Sequence, residues 1–214
     1  DNVGNNGSTY DDGTDTFITG ENPNNYVWYS GKLWRAVSIN NEAKTTKLVT
    51  QWNISAINYS SRSTGFAGSY MEEWLNDTSV DGFLYNLRDY ENFIVTDSKW
   101  DATADDNELG SIQKPTGKTI VEDAVGLLNI YEYQSSNNGN DNGYLVNGLS
   151  WWTLTPRNDL NIRSVEYDGI STYGFSATDA EEGIRPSIIL KSDVKIVSGK
   201  GRAEDAYGLS GDSD

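Results

Sequence analysis

The side chains of this chain that could perform acid–base chemistry are mainly carboxylates. The sequence holds 32 Asp and Glu residues but no His and no Cys. That excludes the commonest general base, thiolate nucleophiles and zinc sites built from Cys. Two carboxylate pairs, Asp101 with Asp105 and Glu181 with Glu182, are of the kind that a glycosidase uses at a defined separation. Because such pairs also arise by chance in so acidic a chain, we predict no catalytic residue, and an enzyme stays an alternative hypothesis.

A further group of oxygen ligands lies near the N-terminus, at Asp11, Asp12 and Asp15. Calcium takes ligands of this kind from closely spaced carboxylates. The spacing matches no complete calcium-binding loop, so a solvated acidic loop is favoured. We therefore expect no cofactor, and a structural calcium ion at these residues stays open.

The formal net charge of −16 limits the partners of this 214-residue chain. Nucleic acid is excluded, because a phosphate backbone needs a basic surface, and an anionic membrane surface is excluded for the same reason. An acidic chain without Cys that is rich in Asn, Ser, Thr, Gly and Tyr is typical of a Gram-positive type of bacterial surface. The chain begins at Asp1 and has no signal peptide or apolar span, so we expect a trimmed ectodomain at the cell surface or outside the cell.

Strand and helix patterns alternate with long loops along the chain. Residues 26–29 and 32–39 flank Ser30-Gly31, which predicts a hairpin, and residues 46–54 predict a third strand beside it. The second hairpin strand carries apolar side chains on both faces, so we expect it to be central. Arg35 would then be a partly buried cation paired with a carboxylate.

Helices are predicted at three places. Ser69 to Glu72 and Asn129 to Glu132 have the spacing of a capping box, and residues 80–90 carry apolar side chains at helical spacing. Two or three short helices, mostly antiparallel strands and long loops predict one α+β domain over residues 26–197. An irregular lead-in, 1–25, would precede this domain, and a polar tail, 198–214, would follow it.

Residues 149–190 contain two apolar, strand-like ends around a polar middle, Arg157 to Glu182, which we call the displayed segment. Asp168-Gly169 predicts a two-residue turn between strands at 162–167 and 170–175. The mixture of Tyr, Asn, Ser, Asp and Arg is similar to that of antibody binding loops. It favours a binding surface, with an ordinary exposed hairpin as the alternative. Arg185 is expected to pair with an internal carboxylate and to hold the second end in place.

Five stretches together resemble surface-exposed, often pilin-like proteins of Firmicute and Mollicute type. These proteins carry a C-type-lectin-like domain related to formylglycine-generating enzyme. The stretches are Tyr26–Arg35, Tyr70–Asn76, Val125–Leu128, Trp151–Pro156 and Gly183–Ser187. The resemblance implies a C-type-lectin-like fold. The catalytic cysteines of the enzyme branch and the Trp-Asn-Asp motif of calcium-dependent lectins are absent, so neither activity carries over.

The last two stretches also resemble the borders of the variable region in proteins of diversity-generating retroelements. In that family a reverse transcriptase rewrites adenines in the variable region while the backbone is conserved. The resemblance implies a non-enzymatic surface protein whose displayed segment binds an unknown protein or glycan on another cell, phage or host. Trp151 and Trp152 would brace the site, and one of them could stack on the ligand. The contacts would come from Arg157, Asn158, Asp159, Asn161, Arg163, Glu166, Asp168, Thr172, Tyr173, Phe175, Thr178 and Asp179. The alternative is a structural head of a pilin-like filament or adhesin, with filament subunits as partners.

Overall fold

The computed structural model of the chain describes residues 7–61, 65–108, 111–137, 142–170, 172 and 174–212. Its strands are β1 (Gly7–Asp11), β2 (Asp15–Gly20), β3 (Tyr26–Tyr29), β4 (Lys32–Asn40), β5 (Thr46–Thr50), β6 (Ser55–Ile57), β7 (Ser98–Asp101), β8 (Ile120–Asp123), β9 (Val125–Gly126), β10 (Trp151–Pro156), β11 (Asn161–Val165), β12 (Gly174–Ser176), β13 (Glu182–Ile184), β14 (Ser187–Leu190), β15 (Ile196–Ser198) and β16 (Tyr207–Leu209). Its helices are α1 (Tyr70–Leu75), α2 (Tyr90–Phe93) and α3 (Ile130–Asn137), with a 3₁₀ turn at Leu84–Asn86. This content confirms the predicted α+β class, with strands predominating. Within the described residues, no helix has the length and apolar character needed to cross a membrane.

The strands form two main sheets and one separate hairpin. The large sheet has the order β15-β16-β3-β4-β5-β14-β9, and the β1–β2 hairpin joins it through β4. The small sheet has the order β12-β11-β10-β13-β6, and β7 pairs with β8. Most pairs are antiparallel, but β16 is parallel to β3 and β13 is parallel to β10. The parallel β10–β13 pair places Trp151, six residues before the displayed segment, beside Gly183, the residue that follows the segment.

The predicted first hairpin is confirmed. Ser30 and Gly31 connect β3 and β4 with φ angles of 54° and 70°, as a type I′ turn requires. β4 lies between β3 and β5 and is therefore central, as its two apolar faces indicated. β5 ends at Thr50, four residues before the predicted end.

Two hydrophobic cores lie on opposite faces of the large sheet. Trp34 of β4 belongs to one core, and Val37 of the same strand belongs to the other. Strand β10 of the small sheet is also buried on both faces, because Trp152 packs in the first core and Trp151 in the second. Successive side chains of a strand point to opposite faces, so the Trp151-Trp152 pair connects the two cores through β10.

Both predicted capping boxes begin helices. At α1 the Ser69 hydroxyl accepts a hydrogen bond from the Glu72 amide at 3.0 Å. At α3 the exchange is reciprocal, because Asn129 Oδ1 accepts from the Glu132 amide and Glu132 Oε1 accepts from the Asn129 amide, at 2.8 and 3.0 Å. These bonds satisfy amides that a helix N-terminus leaves without intrahelical partners.

The predicted single helix over residues 80–90 is wrong. The chain instead forms the 3₁₀ turn and then α2, because Leu87 is extended with ψ of 123° and Asp89 has a positive φ of 49°. Phe83, Leu84 and Leu87 are nevertheless buried in the first core. The apolar spacing therefore predicted which side chains are buried, but not the backbone conformation that buries them.

The predicted irregular lead-in is also wrong, because residues 7–11 and 15–20 form the β1–β2 hairpin. The polar composition concealed these strands, whose attachment rests on Phe17, a residue of the second core. In the predicted polar tail, Tyr207 and Gly208 pair in parallel with β3. Both ends of the chain therefore contribute strands to the large sheet.

Among the described residues, Arg35 has no carboxylate partner of the kind that its position suggested. Its guanidinium donates to Asn25 Oδ1 at 2.9 Å and to Gln51 Oε1 at 3.2 Å, and it lies 3.6 Å from the ring centroid of Tyr26. Burial lowers the pKa of Arg35 to about 10. Neutral oxygens and an aromatic face stabilise this buried cation in place of an ion pair.

Candidate ligand-binding face

The strands that border the displayed segment, β10 and β13, are largely buried. Trp151 pairs with Gly183 across the parallel β10–β13 contact. Trp151 is 1% exposed and Trp152 is fully buried. Their rings pack edge-on against Tyr133 and Tyr59, respectively. The two Trp residues therefore brace the segment, as expected, but neither offers a stacking surface to a ligand.

Arg185 stabilises the second end of the segment without the expected carboxylate. It is buried, donates to the carbonyls of Thr50 and Leu145, and stacks 4.9 Å from the ring centroid of Trp151. Burial, followed by the charge of Arg35, lowers the pKa of Arg185 to about 9. The carbonyls of two other segments thus take the place of a counter-ion and fix the strand that follows Glu182.

Arg163, predicted as a ligand contact, is instead fully buried. Its guanidinium donates to the carbonyls of Asp105, at 2.9 Å, and Thr172, at 3.0 Å, and also to the carbonyl of Asn107. An Asp105 carboxylate oxygen lies 3.6 Å away. Burial lowers the pKa of Arg163, and the Asp105 charge partly opposes that shift. Arg163 therefore joins the loop after β7 to the middle of the displayed segment.

Three further predicted residues, two of them within the displayed segment, have different outcomes. Thr172 is also fully buried and so cannot contact a ligand directly. Tyr173 lies outside the described residues. The sequence suggested a pair of Asp105 with Asp101. The Asp105 carboxylate accepts hydrogen bonds from Asn107 and Gln113 of its own loop. The Asp101–Asp105 pair therefore has a structural role in this loop.

The predicted two-residue turn at Asp168-Gly169 is wrong. β11 and β12 pair through Asn161 with Ser176 and Arg163 with Gly174. Because β11 ends at Val165 and β12 begins at Gly174, more than two residues separate the strands. Gly169 donates its amide to the Glu166 carbonyl at 2.9 Å, and Tyr133 Oη donates to the Gly169 carbonyl at 2.5 Å. A Cβ at Gly169 would lie 2.4 Å from Val146. Glycine is required at position 169 because a larger residue would clash with Val146 and because the φ angle there is positive. It does not form a type I′ hairpin.

The remaining predicted contacts separate into two groups at opposite ends of β11. One group surrounds adjacent turns at 157–161 and 176–179, which are joined by a bond from the Ala177 amide to the Leu160 carbonyl at 3.1 Å. We call this group the turn face, and its members are Arg157, Asn158, Asp159, Asn161, Phe175, Thr178 and Asp179. All of them are exposed or half-buried. The other group contains Glu166 and Asp168.

Local hydrogen bonds order the turn face. Asn158 Oδ1 accepts from the amides of Leu160 and Asn161, both at 2.9 Å, and the Ser176 hydroxyl donates to Asp179 Oδ2 at 3.0 Å. These Asx and Ser bonds favour tight turns. The turn face therefore has a defined backbone beneath its exposed side chains.

Sequence reasoning missed three exposed apolar residues of the displayed segment. Leu160 is 64% exposed, Tyr167 is 68% exposed and Ile170 is 54% exposed. Leu160 lies on the turn face, and the other two lie beside Asp168. Single exposed apolar side chains are common on protein surfaces. The sequence pattern that could have identified these residues is the occurrence of several apolar side chains within one polar segment.

Glu166 and Glu182 form an acidic pair at the other end of β11, next to a cavity of about 590 Å³ lined by Asn53, Leu149, Ser150 and Glu182, among others. The hydroxyls of Ser150 and Ser164 donate to Glu166 at 3.0 and 2.7 Å. Burial, followed by the Glu166 charge, raises the pKa of Glu182 to about 7. The partner of Glu182 is therefore Glu166, and not the neighbouring Glu181 that the sequence suggested.

The acidic group near the N-terminus has partners within the protein. Asp11 accepts from the Gly13 amide and from Asn41, while Asp12 accepts from Tyr131 and forms an ion pair with Lys114 at 3.1 Å. The bond from the Gly13 amide lowers the pKa of Asp11. At Asp12 burial acts to raise the pKa, but the bonds from the Asp15 and Thr14 amides and from Tyr131 and Lys114 outweigh it, so the pKa is lowered. Over the described residues, no group of three or more acidic side chains is placed to hold a metal ion.

A scan of protein-family models and searches of curated proteins and solved structures found no match to this chain.

Replacing Arg163 by Met should destabilise the protein by about 3 kcal/mol, because it leaves buried carbonyls and Asp105 without their donor. We expect faster hydrogen exchange at amides 103–107 and 164–172 and a lower urea midpoint. Arg202→Met, a change at an exposed Arg, is the matched control and should leave both measurements unchanged. Equal exchange in the two variants would contradict the structural role of Arg163.

Replacing Glu182 by Gln should make stability less dependent on pH. Folding raises the pKa of the Glu182 carboxyl to about 7. The contribution of such a group to stability is fully present below its pKa in the unfolded chain. That contribution is lost as the pH rises through its pKa in the folded protein. The free energy of unfolding of Glu182→Gln should therefore exceed that of the wild type at pH 8 and approach it at pH 4.5. Urea titrations at both pH values, with Glu181→Gln as the control, measure the difference. A parallel shift at both pH values would contradict the assignment.

Proposed function

We propose that this protein is a non-enzymatic ligand-binding protein of the cell surface with a C-type-lectin-like fold, and that the turn face binds the ligand. The observation that carries the proposal is that the buried and the exposed residues of the displayed segment have different roles. Its buried residues, such as Arg163, fix the backbone through contacts with other segments. Its exposed residues, such as Asn158 and Phe175, take no part in either core. Exposed side chains that do not order the backbone, such as those of Asp159 and Phe175, can therefore change with little effect on the fold.

The composition of the turn face supports binding to a protein or a glycan. It combines exposed apolar groups, Leu160 and Phe175, with amide and carboxylate groups, Asn158, Asp159 and Asp179. Apolar contact area with surrounding polar groups is the usual composition of a recognition surface. The ligand would belong to another cell, a phage or a host, and the protein would display the face outside its own cell.

Exchanging exposed residues of the turn face should change what the protein binds without unfolding it. Asp159→Tyr with Phe175→Ser alters the charge and the position of an aromatic group. The matched control, Glu42→Tyr with Tyr85→Ser, makes the same kinds of change at exposed residues elsewhere. We expect the labelled turn-face variant to lose or change the wild-type binding profile on a glycan array and on a panel of intact bacteria. The control should keep that profile. Identical profiles for both variants and the wild type would leave the filament-head alternative as the better proposal.

We further propose that retroelement mutagenesis diversifies the displayed segment. The adjacent genome should then contain a reverse-transcriptase gene and a near-copy of the segment's coding sequence that differs only at adenines. Codon differences should fall at exposed positions such as Asn158, Asp159 and Asp179 and spare the buried Arg163. Sequencing the locus measures this directly. A locus without a near-copy, or differences concentrated at buried positions, would refute diversification and leave ligand binding standing.

A further inference from the structure

The largest of the cavities described, about 750 Å³, lies outside the turn face, between α1 and β6. Its wall is formed by Tyr70, Glu73, Trp74 and Asp77, and its floor includes Ser55 and Ile57 of β6. A volume of this size is typical of binding pockets in proteins. Nothing in the proposed function uses this cavity.

The wall residues occupy one face of α1 and its C-terminal extension. Tyr70, Glu73 and Trp74 have the i, i+3, i+4 spacing of one helical stripe, and Asp77 follows just after the helix ends at Leu75. Met71 and Leu75 are buried in the first core. Trp74 is held in place, because its indole N–H donates to the Asp81 carbonyl at 3.1 Å and its ring packs 5.8 Å from that of Phe83. Tyr70 is about half exposed. Two aromatic rings, one of them fixed, therefore line the wall.

The charge of the wall favours a cation. Glu73 and Asp77 contribute two carboxylates, and among the described lining residues there is no Lys or Arg. The C-terminal end of a helix carries partial negative charge, and the last turn of α1 has no basic side chain to offset it. Carboxylates beside aromatic faces are the groups that recognise an ammonium or guanidinium ion.

The floor of the cavity is the edge of the small sheet. β6 pairs with β13 on one side, and in the described sheet it has no strand on the other. Ser55 and Ile57 line this cavity, while Ala56 between them lines the acidic cavity beside Glu182. An exposed edge strand can pair with an extended segment of a partner, whose alternate side chains then enter neighbouring pockets.

We propose that the α1–β6 cavity binds an extended, basic segment of a partner protein, which adds to β6 and places a Lys or Arg side chain between Tyr70, Trp74 and the carboxylates of Glu73 and Asp77. This site is independent of the turn face. Failure of either proposal therefore leaves the other intact.

The test uses a fluorescent ten-residue peptide of alternating Lys and Thr, with the corresponding Gln and Thr peptide as the neutral probe. Fluorescence anisotropy at two salt concentrations measures binding to the whole chain. Glu73→Gln with Asp77→Asn should weaken binding of the Lys peptide about tenfold, since two charge contacts of ordinary strength are lost, one at the exposed Glu73 and one at the half-buried Asp77. Tyr70→Ala should weaken it severalfold. The neutral peptide should bind at least tenfold more weakly than the Lys peptide.

The matched control is Glu42→Gln with Asp193→Asn, which changes the net charge by the same two units at exposed positions outside the cavity. It should stay within twofold of the wild type. Equal weakening by the control would show non-specific attraction to an acidic protein and would overturn the proposal. Free spermidine that binds as tightly as the peptide would also overturn it, because an amine site would then need no contribution from β6. Absence of binding by the Lys peptide would overturn it outright.

Discussion

The burial of β10 on both faces is the constraint on which the rest of the arrangement depends. Trp151 and Trp152 are successive residues, so their side chains must point to opposite sides of the sheet. Each ring needs a core, and the two cores of this protein meet at this strand. The strands that pair with β10 are held with it. The displayed segment therefore leaves and re-enters the sheet at fixed points, whatever side chains it carries between them.

Three buried guanidinium groups extend this constraint to the irregular parts of the chain. Arg35, Arg163 and Arg185 are each at most 2% exposed. A buried cation is costly unless hydrogen bonds replace its water, and backbone carbonyls or side-chain amides supply those bonds here. The planar fork of Arg can hold several acceptors from different segments at once. Loops with little apolar content are thereby attached to the sheets.

Local structure could be predicted from the sequence wherever residues close in the chain determine the conformation. Ser30-Gly31 specifies its turn through two positive φ angles, and Asn129 with Glu132 specifies a helix start through two reciprocal bonds. Predictions were wrong where the conformation depends on residues that are distant in the chain. Asp168-Gly169 has the composition of a tight turn, but Tyr133 and Val146 determine how Gly169 is packed. Similarly, the polar residues around Phe17 concealed a strand that forms because β4 offers it an edge.

The sequence alone determined the α+β class, the first hairpin, the capped helices and the position of a framed polar segment, because each follows from spacing along the chain. The tertiary structure decided which residues of that segment face solvent. Arg163 and Asn158 are equally polar in the sequence, but one is buried beneath the loop after β7 and the other is exposed on a turn. That difference arises because two of the three carbonyls that accept from Arg163 belong to residues more than fifty positions away. Hydrogen-bond partners so distant leave no local pattern, so the exposed surface emerges only when the chain is folded.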